Sequence, residues 1–304
     1  MIRIFPILVM SCVAGLAADP QRPPIVGIAN FAVKVKDLDA ARNFYGHVLG
    51  YQEAFSIKQA GAAPDLICFK VNDRQYLEVA PELKDENEDR LIHIAFETRD
   101  ARKLRDYLAS KHVDVPAKVL KDAAGNFSFV VKDPEGHGVE FVQYLPGSVH
   151  SRNFGKLLPD TRISDHVLHV GIHVTDRPKA DAFYKDILGF RLMWEGGPAN
   201  NPSAWVSYLV PDGSDWVEYM TIANPTPKQL GGMHHACLGV MDVQKPYRMV
   251  VERGYTPPFK PNLARDGRWL ANFYSPDFTR TEIMIRKPVE KPCCTELHDP
   301  YIDN

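Results

Sequence analysis

Asn30-Phe31-Ala32-Val33-Lys34-Val35-Lys36-Asp37 and His169-Val170-Gly171-Ile172-His173-Val174-Thr175-Asp176 are two versions of one stretch. Both alternate with a period of two, as a half-buried strand does, and both end on Asp. The frame recurs at His93-Ile94-Ala95-Phe96-Glu97-Thr98-Arg99-Asp100 and at His235-Ala236-Cys237-Leu238-Gly239-Val240-Met241-Asp242, so four strands share one register. A helical stretch follows each Asp. Copies one and three share Phe-Tyr-x-x-x-Leu-Gly-aromatic, from Phe44 to Tyr51 and from Phe183 to Phe190. Copies two and four carry Leu104 to Leu108 and Tyr247 to Tyr255 in its place, the A-B-A-B pattern of a duplicated two-module unit. Each copy closes on β-rich sequence around an acidic residue: Glu78, Glu140, Glu218 and Glu282. From the first position of each opening strand to that Glu the spacings are 48, 47, 49 and 47 residues. The expected architecture is therefore α+β, four βαβββ modules in two domains.

At 304 residues, with 45 % hydrophobic and 24 % charged residues, the chain can hold two compact soluble cores. Residues 25–146 and 166–287 each contain two modules. Between them Pro146 to Ser164, with two Pro and two Gly, reads as a connector over residues 147–165. With 36 basic against 38 acidic side chains, nothing favours a polyanionic partner, and nucleic acid is not expected. Arg3 followed by the apolar run Ile4 to Ala14 and by Gly15-Leu16-Ala17 reads as a signal peptide over residues 1–17, so the expected location is periplasmic or secreted. Val9-Met10-Ser11-Cys12 also loosely resembles a lipobox, which would leave a lipid-anchored Cys12. No later run is long enough to span a bilayer. Residues 288–304 form a Pro-rich tail in which Cys293 and Cys294 either pair with other partners or stay free.

These residues resemble the vicinal oxygen chelate superfamily, which includes glyoxalase I, bleomycin-resistance proteins and extradiol dioxygenases. The likeness runs from Ile25 to Lys287. It is most specific at Asp37 to Tyr51, Asp176 to Phe190 and Asp133-Pro134-Glu135-Gly136-His137-Gly138-Val139-Glu140. The resemblance implies that paired modules form a curved sheet, an open cup, with ligands supplied by the first and last strands of each module.

The C-terminal cup then offers His169, Glu218, His235 and Glu282, a set suited to one Zn²⁺, Fe²⁺, Mn²⁺, Ni²⁺ or Co²⁺ ion. The N-terminal cup offers Asn30, Glu78, His93 and Glu140, a weaker second site because an amide replaces an imidazole. Alternation places His235, Cys237 and Gly239 on one face, and likewise His169, Gly171 and His173, with the small residues leaving room for a ligand. His173 sits about 13 Å along the strand from His169, too far for the same ion, and is expected to touch substrate, as is Cys237. Cys237 also reads as a small core filler, and His234 as a structural residue on the opposite face. Trp205, Tyr208, Trp216 and Trp269 are pocket or core residues.

Three functions follow from the resemblance. A metal-dependent lyase or isomerase would use Glu218 or Glu282 as the carboxylate that moves a proton. An extradiol dioxygenase would use His169, His235 and Glu282, but Asn272 stands where that group carries Tyr. A bleomycin-resistance-like module would only bind a small molecule. A homodimer is compatible with each.

Overall fold

The computed structural model describes residues 20–59, 61 and 63–298. The expected signal peptide, with Cys12, and the last residues of the tail lie outside them. Among the described residues no helix is long and apolar enough to cross a membrane.

Two eight-stranded sheets, each curled into a half-barrel, carry the four modules. The strands are β1 (Ile25–Lys34), β2 (Gln52–Ile57), β3 (Leu66–Lys70), β4 (Tyr76–Ala80), β5 (Leu91–Thr98), β6 (Leu120–Lys121), β7 (Phe127–Lys132) and β8 (Gly138–Gln143) in the first half. The second half has β9 (Val167–Val174), β10 (Arg191–Gly196), β11 (Trp205–Leu209), β12 (Trp216–Thr221), β13 (His235–Val240), β14 (Asn262–Leu263), β15 (Trp269–Tyr274) and β16 (Arg280–Ile285). Their orders, β2-β3-β4-β1-β5-β8-β7-β6 and β10-β11-β12-β9-β13-β16-β15-β14, are identical in topology. In both sheets the opening and closing strands of the two modules occupy the four central places. The first and last strands of a module pair parallel, and the two opening strands pair antiparallel.

The recurring Asp has a local cause. Asp37, Asp100 and Asp176 cap the helices that follow, each accepting backbone N–H bonds from the first turn, and Asp242 accepts from Gln244 N. Those helices are α1 (Leu38–Ala41), α2 (Ala101–Ser110), α4 (Arg177–Asp181) and α6 (Gln244–Glu252), with α3 (Val149–Arg152) and α5 (Pro227–Met233) between modules. In copies one and three the helix widens into a π-helical turn, Arg42–Val48 and Ala182–Ile187. It ends at the Leu-Gly pair because Gly50 and Gly189 take φ of +79° and +80°. A Cβ on Gly50 would also stand 2.0 Å from the Thr161 carbonyl oxygen.

Half-buried alternation is not what the central strands show: β4, β9 and β13 are buried along their whole length. One face packs on the helices and the other lines a cup that is itself covered, so both faces exclude water. The helical face of each half also docks on the other half. Phe44 meets Tyr255, Phe96 meets Phe190, and Tyr107 Oη donates to the Ile187 carbonyl.

The connector and the tail are more than tethers. Over the N-terminal cup the connector folds α3 inward, where the His150 ring packs against Phe55, Tyr76 and Tyr144 and bonds Asn126. The buried Lys70 ammonium holds it by donating to Asp73 and to the Asn153 and Lys156 carbonyls. The tail crosses the C-terminal cup in the equivalent way. Cys293 N bonds the Arg265 carbonyl at one sheet edge, and Thr295 and His298 bond Glu195 and Met193 of β10 at the other. Within it Cys293 and Cys294 are joined to each other, a pairing the sequence reading did not include.

Candidate metal centre

Four neighbouring strands each turn one side chain into the C-terminal cup: Glu218 from β12, His169 from β9, His235 from β13 and Glu282 from β16, with His169 shared between a group at metal-ligand spacing with Glu218 and His235 and another with Glu282 and Cys237. His169 Nε2 lies 3.1 Å from His235 Nε2, 3.8 Å from Glu218 Oε2 and 3.9 Å from Glu282 Oε1, and His235 Nε2 lies 3.4 Å from Glu218 Oε2. Ligand atoms sharing one ion at about 2.1 Å stand about 3–4 Å apart, so these spacings fit a first-row divalent metal. The two imidazoles are buried, and Glu282 Oε1 is buried with no hydrogen-bond partner. A cation between them would satisfy that oxygen. His235 Nδ1–H donates to the Met233 carbonyl at 2.9 Å, which fixes the tautomer with its lone pair on Nε2, the nitrogen that Arg280 Nη2 approaches to 3.0 Å. The His169 ring stacks on Trp216, centroids 4.9 Å apart, and Arg268 lies over the same indole.

Gly171 serves this arrangement differently from the sequence expectation. Its missing side chain does not leave room for a ligand; the His235 ring fills that space, and a Cβ there would be 1.8 Å from Cε1. Cys237 is fully buried behind the ligands, within metal-ligand reach of His169 and Glu282. His173 is directed to the Ile222 carbonyl, 2.8 Å away, and the cavity beside the ligands is lined by other residues. That cavity holds about 370 Å³ and is walled by Trp194, Trp205, Met220 and Met284, with Asn262, Arg265, Asp266, Asn272 and Arg280 as polar groups beside the two glutamates. Arg280 and Trp194 escaped the sequence reading. The position of Arg280 is legible from its strand parity with Glu282, whereas its residue type is not that of a metal ligand. Tyr208 turns to the helical face and bonds Asp181, while Trp269 is partly exposed.

In the N-terminal cup Asn30, Glu78, His93 and Glu140 also converge. His93 Nε2 is 2.9 Å from Asn30 Oδ1, 3.4 Å from Glu140 and 3.8 Å from Glu78. The amide oxygen accepts the imidazole proton, so the nitrogen that would ligate is already engaged. His234, on the opposite face of β13, meets Asp89 at 3.3 Å and the His137 ring across the domain junction. Its Nδ1 accepts from His173 N, which leaves the proton on Nε2 and makes the contact a domain-joining one. The groove of about 750 Å³ between Lys36, Asp85, Arg90 and Phe278 is larger than the cup cavity but brings no ligand set together.

Burial drives the titrations. It holds His169 and His235 well below the ordinary imidazole value, and pushes Glu282 up to about 8 against the pull of Arg280, and Glu78 up to about 8. Metal-free protein is therefore expected to lose stability as pH rises from 6.5 to 8. The unfolded chain releases the two glutamate protons near 4.5, so the stability they contribute is complete below that pH and lost as pH climbs through about 8. The two histidines act in the other direction, destabilising only as pH falls below 6.5. Melting temperatures of chelated protein at pH 6.5 and 8.0 check this. An equal or higher value at pH 8.0 would contradict it, and adding metal should remove the part due to Glu282.

The comparisons with known proteins agree with the fold. Among solved structures the chain is similar to a Mn(II)-bound glyoxalase from Novosphingobium aromaticivorans, with a TM-score of 0.65, 18 % identity, and 91 % of this chain and 88 % of that one covered. It is also similar to homoprotocatechuate 2,3-dioxygenase from Brevibacterium fuscum in complex with 3,4-dihydroxyphenylacetate, with a TM-score of 0.63, 18 % identity and coverage of 93 % and 85 %. A third likeness is to the 2,3-dioxygenase LapB of a Pseudomonas species, at 0.64, 14 % identity and coverage of 93 % and 100 %. No curated protein matches the sequence. The profile of one family matches residues 27–141 and again residues 166–283, most of both cups, and the chain belongs to that family, the glyoxalase/bleomycin resistance protein/dioxygenase superfamily.

Proposed function

We propose that the C-terminal cup is the active site of an exported, divalent-metal-dependent enzyme that acts on a small molecule with vicinal oxygens by lyase or isomerase chemistry. The observation that carries this is the convergence of His169, Glu218, His235 and Glu282 at metal-ligand spacing. A bound metal would act as a Lewis acid on a substrate oxygen. The chain supplies the rest. His169 and His235 are kept neutral by burial and available as ligands. Both glutamates border the cavity, and Glu218, with 16 % of its side chain exposed against 5 % for Glu282, is the more accessible. Glu218 is thus the carboxylate placed to take a proton from carbon and return it. Trp194, Trp205 and Met284 shield that transfer from water.

Glu218 and Asn272 weigh against the dioxygenase reading, the first by occupying a fourth ligand place and the second by offering no acid or base. A metal-free binding module has one observation in its favour: Arg280 Nη2 lies 3.0 Å from His235 Nε2, where a metal would bind. Incubation of Mn(II)-loaded protein in D₂O with 2-hydroxy and 2-oxo compounds tests the proposal. Deuterium exchange at the carbon beside the oxygens, without oxygen uptake when catechols are added, is the expected result. Oxygen consumption would move the assignment to the dioxygenases, and unchanged ligand binding after chelation to the binding modules.

A further inference from the structure

Arg280 precedes Glu282 by two residues on β16, so both side chains enter the C-terminal cup. Its Nη2 lies 2.6 Å from His235 Nδ1, 3.0 Å from Nε2 and 3.8 Å from Met220 Sδ. Because His235 Nδ1–H donates to Met233, the nitrogen that can accept from the guanidinium is Nε2. A metal on Nε2 takes that acceptor away and leaves Arg280 facing the cavity. No carboxylate stands at ion-pair distance from it among the described residues, since Glu218 and Glu282 approach the histidines, and its Nε is buried without a hydrogen-bond partner.

The other three modules carry Tyr76, Gly138 and Trp216 at the corresponding position, so this cation is peculiar to the metal-binding cup. Asn272, paired with Glu282 across the sheet, also lines the cavity and has its Oδ1 buried with no partner. The charge balance points the same way. A divalent ion would neutralise Glu218 and Glu282, and Arg268 is paired with Asp266 at 2.7 Å, which leaves Arg280 inside the cavity, and the exposed Arg265 at its edge, without a balancing carboxylate in its lining.

We infer that the substrate of this cup is a small carboxylate with an adjacent oxygen, a 2-hydroxy or 2-oxo acid, whose carboxylate is held by Arg280 while its hydroxyl or carbonyl oxygen faces the metal ligands. This rests on the metal reading of the cup and names its substrate class. A guanidinium presents parallel N–H donors that match a carboxylate, Asn272 Oδ1 can accept from a hydroxyl, and about 370 Å³ suits a small acid.

The test is calorimetric titration of Mn(II)-loaded protein with lactate and mandelate, each set against propane-1,2-diol and 1-phenylethane-1,2-diol, which keep the hydroxyl and lose the charge. Both acids are expected to bind at least about tenfold more tightly than the diols. Arg280→Gln should abolish that preference with metal content unchanged, and Arg280→Lys should restore part of it. Failure of both acids to bind the wild type, equal binding of acids and diols, or an undiminished preference in Arg280→Gln would overturn the inference. Metal content separates it from the reading beneath it. Arg280-dependent binding of acids by protein that takes up no metal upholds the anion site and sinks the metal. Metal-loaded protein that binds acids without regard to Arg280 does the reverse.

Discussion

The His235→Ala variant is expected to fold and to lose its metal, with affinity falling by about a hundredfold or more, since even residues outside the ligand shell typically contribute 10–100-fold. His235 is the ligand closest to its neighbours, 3.1 Å from His169 and 3.4 Å from Glu218, and its orientation is fixed by the Met233 carbonyl and by the space above Gly171. Alanine leaves one imidazole and two carboxylates, a set that loses its geometry as well as a donor. Its effect on the fold is small in comparison, because β13 keeps its backbone pairing to β9 and β16 and the hole lies beside an existing cavity. Equilibrium dialysis against Mn²⁺ or Zn²⁺, with circular dichroism as the control on folding, measures the separation. Metal affinity within about threefold of wild type would remove His235 from the ligand set.

Trp216→Ala is expected to have the largest effect on stability. The indole is 1 % exposed, packs with Leu168, Met193, Leu209, Cys237 and Met284, and contacts both the His169 ring and the Arg268 guanidinium. Truncating a buried tryptophan to alanine costs about 3–5 kcal/mol, from lost burial and the cavity left behind. At about 2–4 °C per kcal/mol for a domain of this size, the melting temperature should fall by about ten degrees. The variant also frees His169, whose Nδ1 has no hydrogen-bond partner to hold the ring, so metal binding should weaken in parallel. Thermal unfolding with and without metal reads both effects. A shift of only a degree or two would show that the stack is not what supports the centre.

Much of this was legible because the sequence repeats. A lone histidine on a strand says little, but four modules in one register, each opening on a strand that runs to Asp and closing on a strand with Glu, determine which residues share a face. The family resemblance points to the first and last strands of each module, parity puts Glu218, His169, His235 and Glu282 on the cup face of those strands, and the helix-capping role of the recurring Asp explains why the register survives. Parity fails where a side chain meets something distant in sequence. His173 has the parity of His169 yet ends on the Ile222 carbonyl beyond the strand, and Gly171 admits a neighbouring histidine instead of a ligand. The plug of His150 over the N-terminal cup and the tail over the C-terminal one depend on contacts between segments far apart in the chain, which no local pattern encodes. Arg280 was missed for a different reason: its position was readable, but its meaning depends on the lack of a carboxylate partner, which only the packed structure displays.

The two cups share topology and differ in chemistry, and the single metal proposed for this chain belongs to the second of them. Elemental analysis of protein reconstituted with Mn²⁺, Zn²⁺ or Fe²⁺, comparing wild type with His93→Ala and His169→Ala, tests this most directly. The expected result is about one metal per chain in the wild type and in His93→Ala, and almost none in His169→Ala. Metal absent from all three, or lost from His93→Ala and kept by His169→Ala, would contradict it.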